Sequence, residues 1–383
     1  MPGPLDGVRL VDLTTVVSGP MCTMILADQG AEVIKVERPE GDFTRQLATR
    51  RAGYSASYLN NNRSKKSVVL DLKTAKDLEA LLRLIDGADV LVQNFRPGVA
   101  ARLGLGAEQV MHRNPRLIYA SIAGFGFEGP LASKPVYDPL VQAISSLTTV
   151  QAGSDEERPR LIRTIVPDKL TGVQASQAIT AALFARERTG RGQEVRLTML
   201  DTMVAFLWGS DMNAHTFVGD ELEREEAQSF HDLIYTVKDG YLSISIMQDK
   251  HWRALGEATG RRDIVDDPRF RTAELREINK EERLALTQSI VAESVRDELL
   301  AALEAEGVPC APVLTRTEMR QHPQLVANAT LVEYDHPAAG RLRQARNAAQ
   351  FSGTPVALPR PAPALGQHTD EVMAPYWDEG ASR

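Results

Sequence analysis

Apolar residues along this chain fall in short, nearly continuous blocks separated by stretches of helical period. Residues 8–13 form the first block, followed by Ser18, Gly19 and Pro20 and a helical stretch that stops at Gly30; residues 31–37 form the second. Proline just inside a helix start and glycine just past its end mark such a helix. The alternation repeats, with residues 67–72 extended, 74–85 helical, 89–94 extended, a helical turn over 99–103, and 117–123 extended. Blocks rich in Val, Ile and Leu, separated by helices, predict a parallel sheet covered on both faces.

Residues 171–186 read as a helix with Val173, Ala178, Ile179, Ala182 and Leu183 as its buried stripe, broken at 189–192. Residues 194–199 read as a strand, and Asp201 as the cap of a helix through Val204 and Leu207. The texture then changes. The acidic run 220–226 reads as an exposed linker or a solvated face. Residues 233–237 and 241–246 flank Lys238, Asp239 and Gly240, a hairpin signal. Helices follow to about Glu306, and a strand over 308–314 leads the chain back out. The division predicted is a large domain over 1–215, a smaller α+β domain over 225–325, and a segment, 326–383, returning to the large one. Pro355, Pro359, Pro361 and Pro363 make that last segment an extended strap.

Composition narrows the chemistry. A length of 383 residues with 43% apolar content supports two or three domains with proper cores. The formal net charge of −7 argues against nucleic-acid or anionic-membrane partners, so an anionic ligand must be held by local basic residues. Cys22 and Cys310 show no CxxC spacing, and the seven histidines include no HExxH, so neither a disulfide framework nor a metal site is expected. Asp6 and Asp12 interrupt any signal core, and no uncharged apolar run approaches the roughly 20 residues of a spanning helix. A cytoplasmic protein is expected.

In open parallel sheets ligands collect beyond the carboxyl ends of the strands. Those loops are 14–19, 38–42, 95–98 and 124–130. The first has Gly19 alone and no GxGxxG, which disfavours a nicotinamide cofactor. Among carboxylates, Asp168 lies between an apolar run ended by Pro167 and a long helix. There it reads either as an N-cap or as a nucleophile or base whose ionised form the helix dipole favours. Asp138, before Pro139, reads as a turn anchor, Asp201 as a cap, and Asp12 as paired with a neighbouring loop. Arg38, the cluster Arg63, Lys65 and Lys66, and Lys73 and Arg102 stand at strand ends, where a ligand with several phosphates and a long neutral arm would fit.

These segments resemble family III coenzyme A transferases, the CaiB/BaiF type, over essentially the whole chain. The matching stretches include Gly7-Val8-Arg9, Gly19-Pro20, residues 30–38, 67–73, 92–98, 168–172, 189–193, 308–313 and 366–369. The resemblance implies a Rossmann-like large domain, a small domain and an interlocked homodimer. It implies coenzyme A as substrate with no tightly bound cofactor, and Asp168 as nucleophile. It places Val16, Val17 and Ser18 near the thioester, Arg38 and Lys73 near the nucleotide, and Leu70, Asn94, Phe95, Arg102, Tyr137 and Met199 at the coenzyme site. A lysine contact of relatives falls at Pro135, with Lys134 adjacent.

The implied reaction moves coenzyme A from an acyl-CoA donor to a carboxylic acid through an aspartyl anhydride and an aspartyl-CoA thioester. The alternative in the same superfamily, α-methylacyl-CoA racemisation, uses a histidine where this chain has Tyr137, and so lacks the imidazole whose pKa lies near neutrality. Relatives also carry a glycine-rich loop where this chain has Gln228-Ser229-Phe230-His231-Asp232.

Overall fold

The computed structural model describes residues 3–47, 49–219 and 233–377. The acidic run 220–226 and the stretch 228–232 lie outside these residues. The chain divides into two compact units, one of residues 1–227 with 329–383, the other of residues 228–328.

The first unit is built on strands β1 (Arg9–Asp12), β2 (Glu32–Glu37), β3 (Lys65–Val69), β4 (Val90–Gln93), β5 (Ile118–Ala123) and β6 (Glu194–Thr198). They form one six-stranded sheet in the order β3-β2-β1-β4-β5-β6, parallel throughout. This is the doubly wound Rossmann order, reversing direction between β1 and β4, where ligands collect in such folds. Because side chains alternate across a sheet, each strand feeds two cores. Leu10, Val33, Val90, Val92, Ile118 and Ile122 pack on one face with α1 (Ser18–Asp28); Val11, Ile34, Val36, Leu91 and Tyr119 pack on the other with α2 (Ala75–Asp86).

Beyond β5 come α3 (Asp138–Ile144), α4 (Val166–Thr189) and α5 (Met199–Trp208). Four expectations need correction here. Helix α4 begins at Val166, not at 171, because Pro167 sits inside its first turn, where no intrahelical N–H is required. Its buried stripe runs through Gly172, Ala175, Ile179, Ala182 and Leu183, while Val173 is exposed. Thr198, not Asp201, caps α5: its hydroxyl accepts the Asp201 N–H at 2.8 Å. Strand β3 also starts two residues earlier than expected, at Lys65, whose ammonium is ion-paired in the interior.

The second unit has strands β7 (Ile234–Val237), β8 (Gly240–Ile244) and β9 (Cys310–Pro312) in an antiparallel sheet, order β9-β8-β7, with Lys238 and Asp239 as the hairpin turn. Helices α6 (Asp249–Ala258), α7 (Lys280–Val291) and α8 (Arg296–Ala305) close its core around Trp252, Leu255, Phe270 and Leu303. The chain returns to the first unit through the hairpin of β10 (Leu331–His336) and β11 (Gly340–Ala345). A proline-rich stretch without regular structure and the helix α9 (Thr369–Trp377) follow, the helix burying Val372 and Met373.

Candidate active site

The loop after β1, the loops after β4 and β5, and the N-terminal turns of α1, α4 and α5 meet at the carboxyl edge of the sheet. They enclose a cavity of about 340 Å³ lined by Thr15, Val16, Ser18, Asn94, Phe95, Tyr137, Asp138, Asp168 and Met199, among others. Of the residues anticipated for the site, Asp168, Val16, Ser18, Asn94, Phe95, Tyr137 and Met199 are thus brought together. Arg96, Gly124 and Phe125 join them from loops expected to border a ligand, Val136 joins without having been anticipated, and Lys134, though Pro135 took the matching position, lines the same space. Tyr137 is 72% exposed.

Asp168 is not a cap. It stands in the first turn of α4, and its own N–H donates to Asp138 Oδ2 at 3.1 Å. Asp138 is buried at the start of α3, with Oδ1 accepting from Gln142 Nε2 at 2.6 Å. An aspartate from another helix therefore satisfies the amide that Asp168 leaves unpaired, and frees the Asp168 side chain for the cavity. The expected electrostatics are reversed as well. Burial, and then the neighbouring Asp138, push the Asp168 carboxyl up to about 6, although the hydroxyl and N–H of Ser18 pull it back.

The turn that presents Ser18 is under strain. Val16 has φ +74°, a left-handed conformation that costs a β-branched residue about 1–3 kcal/mol. Asn94 clasps the preceding residue, its Oδ1 accepting the Thr15 N–H at 3.0 Å and its Nδ2 donating to the Thr15 carbonyl at 2.9 Å. The Val16 N–H turns inward to Asp42 Oδ1 at 3.4 Å, away from the cavity. Val17 is buried and lies outside the lining. No side chain caps α1. Glycines let the two helix starts converge: a Cβ on Gly172 of α4 would meet the Ser18 carbonyl oxygen at 2.8 Å.

The basic candidates separate into two groups. Arg63 pairs with Asp28 at 2.7 Å, Lys65 with Asp12 at 3.0 Å, and Lys66 with Glu32 and Glu371 at 3.0 and 2.9 Å. These three are spent inside the fold and do not form an anion site. Asp12, expected to pair with a loop, is tied to Lys65 and to the hydroxyls of Thr14 and Thr23, and the two nearby lysines, Lys65 and Lys35, hold its carboxyl well below the usual range. Arg38, Lys73 and Arg102 are exposed at the carboxyl edge, outside the cavity. The Leu70 side chain is closed off in the core beside Val36 and Val68 and does not line the cavity. Among the described residues no cluster is arranged to hold a metal ion, and no helix is long and apolar enough to cross a membrane.

Known proteins resemble this chain in both sequence and architecture. The profile of CoA-transferase family III matches residues 5–369. The succinyl-CoA:glutarate CoA-transferase of Mus musculus is 32% identical, the match covering 99% of this chain and 88% of that protein. The acetyl-CoA:oxalate CoA-transferase of Acetobacter aceti is 35% identical, over 95% of this chain and 94% of that one. In three dimensions, the crystal structure of a CAIB/BAIF family protein from Brucella suis aligns with a TM-score of 0.87 at 32% identity, over 98% of this chain and all of that one. A Rossmann-ordered sheet with a carboxylate at its switch-point cavity, matched from end to end by such relatives, makes this chain a member of CoA-transferase family III.

Proposed function

We propose that the enzyme exchanges coenzyme A between an acyl-CoA donor and a carboxylic acid acceptor, with Asp168 as the nucleophile. The observation that carries this reading is the placement of Asp168: its carboxyl faces the cavity, its backbone is anchored by Asp138, and Ser18 lies against it. The Asp168 carboxylate attacks the thioester carbonyl, the C–S bond breaks, and an aspartyl acyl anhydride forms as the CoA thiolate leaves. The thiolate attacks the aspartyl carbonyl, releasing the donor acid and leaving an aspartyl-CoA thioester. The acceptor carboxylate attacks that thioester and expels the thiolate again, which then takes the acceptor acyl group and frees Asp168. Ser18, at the uncapped start of α1, supplies donors for the oxyanion of each tetrahedral state.

A carboxyl raised to about 6 suits the task, being ionised at neutral pH yet more basic than an ordinary aspartate. Asn94, Phe95 and Met199 line the path for the pantetheine arm, and Arg38, Lys73 and Arg102 stand outboard for the phosphates. The relatives named for succinyl-CoA, glutarate and oxalate make small dicarboxylates the first acceptors to test. The functional unit is a homodimer. Phe184, Phe206, Trp208, Phe217 and Val218 of the first unit are exposed, an apolar surface that a second copy would cover.

Asp168→Asn is expected to lower exchange by at least about a thousandfold, as removing a nucleophile does elsewhere. Mass spectrometry of the parent incubated with acyl-CoA is expected to find a hydroxylamine-labile adduct on the peptide carrying Asp168. Exchange at the parental rate by Asp168→Asn overturns the reading. Solvent deuterium entering the α-carbon without an adduct would instead indicate racemisation, a reaction for which no histidine is found among the described residues lining the cavity.

A further inference from the structure

Lys35 stands in the middle of an apolar strand, Glu-Val-Ile-Lys-Val-Glu, with its side chain wholly buried. A buried ammonium is retained only where good partners replace water. Its Nζ donates to the Thr14 carbonyl at 2.7 Å and to Asp42 Oδ2 at 3.1 Å. Asp42 accepts, through Oδ1, the N–H and hydroxyl of Thr44, both at 2.8 Å, and the Val16 N–H at 3.4 Å; its own N–H goes to Glu37 Oε2 at 3.0 Å. Thr14 is gripped from its other side, donating its N–H and hydroxyl to Asp12 Oδ1 at 2.8 and 2.5 Å. Lys35 therefore touches both the residue that opens the turn 14–18 and the residue that takes up the N–H at its strained point.

We propose that Lys35 is a positioning residue for CoA transfer: through Thr14 and Asp42 it holds Val16 in its left-handed conformation and so keeps Ser18 against Asp168. The proposal rests on Asp168 being the nucleophile. A valine leaves φ +74° when released, so a clamp on both sides of it is required if Ser18 is to stay in place. A core ion pair with no such duty has no reason to hold both the start of a strained turn and the acceptor of the N–H at its strained residue.

The test is a cycle between the clamp and the strain. Lys35→Met combined with Asp42→Asn leaves no unpaired charge from the pair, while the amide oxygen keeps an acceptor for the Val16 N–H. Val16→Gly removes the strain, since glycine adopts positive φ freely. In the Val16 background the clamp substitutions are expected to lower kcat on the order of 100-fold, with KM for acyl-CoA within about threefold. In the Val16→Gly background the same substitutions are expected to lower kcat by less than about fivefold, although the unfolding midpoint still falls there. Equal kcat losses in both backgrounds, or no loss in either, overturn the proposal. If the double clamp variant does not fold, Asp42→Asn alone enters the same cycle with the same expected rescue. The Asp168 adduct is measured in the parent alongside: its absence overturns both the nucleophile and the clamp, whereas its presence with equal losses counts against Lys35 alone.

Discussion

Asp168 shows how an environment overrides a helix terminus. The first turn of α4 favours a charged carboxylate, but burial and the nearby Asp138 win, and the group is pushed up to about 6. Exchange measured as kcat/KM is therefore expected to rise with pH through about 6 and then level, tracking ionisation of the nucleophile. The same shift acts on stability. The folded state binds the Asp168 proton more tightly than the unfolded chain, so ionisation between about pH 4 and pH 6 costs the fold roughly 3 kcal/mol. Asp168→Asn is expected to be inactive yet more stable than the parent by about 1–3 kcal/mol at pH 8, the difference shrinking toward pH 4. Urea unfolding at the two pH values checks it, and a variant less stable at pH 8 would show that the carboxylate stabilises the fold.

At the scale of elements, the site depends on two helix starts packed closer than side chains permit. Gly172 of α4 faces the Ser18 carbonyl and Met21 of α1. Alanine is the better helix former, but its Cβ would press on a backbone oxygen at 2.8 Å, which cannot rotate away. Gly172→Ala is therefore expected to destabilise by about 1–3 kcal/mol, as overpacking does. Because the two starts carry Ser18 and Asp168, it should also slow exchange by about 10- to 100-fold. Denaturation and steady-state rates on one preparation test both, and an unchanged kcat would show that the spacing of α1 and α4 does not matter to the chemistry.

At the scale of the whole molecule, the C-terminal strap covers the edge of the sheet. Edge strand β3 would otherwise offer unpaired amides to other chains. Instead the Ser67 N–H donates to His368 Nδ1 at 3.1 Å, the Val69 N–H to Thr369 Oγ1 at 3.0 Å, and the Ser67 carbonyl accepts the His368 N–H at 2.9 Å. Ending the chain after Pro363 uncovers this edge and removes Val372 and Met373 from the core, so the truncated protein is expected to aggregate at concentrations where the parent is soluble, measured by light scattering. For the intact protein, sedimentation is expected to give about twice the 42.0 kDa of one chain. A monomer at micromolar concentration would refute the dimer.

The alternation of apolar blocks and helical stretches sufficed to read the parallel sheet, because strands buried on both faces must be continuously apolar, and the residues around Gly19, Asn94 and Asp168 sufficed to read the family. Position 168 stayed ambiguous in the local pattern, because an aspartate beside a helix start is most simply an N-cap, and only the family resemblance singled it out as the candidate nucleophile. What local pattern does not contain is partnership at a distance. Arg63, Lys65 and Lys66 look in sequence like an anion-binding cluster; only folding brings Asp28, Asp12, Glu32 and Glu371 to them and spends their charge. The Leu70 side chain is turned into the core by the sheet, and the raised pKa of Asp168 comes from its burial and then from Asp138, thirty residues away. Lys35 passed without remark inside an apolar run, and its partners Thr14 and Asp42 are decided by packing.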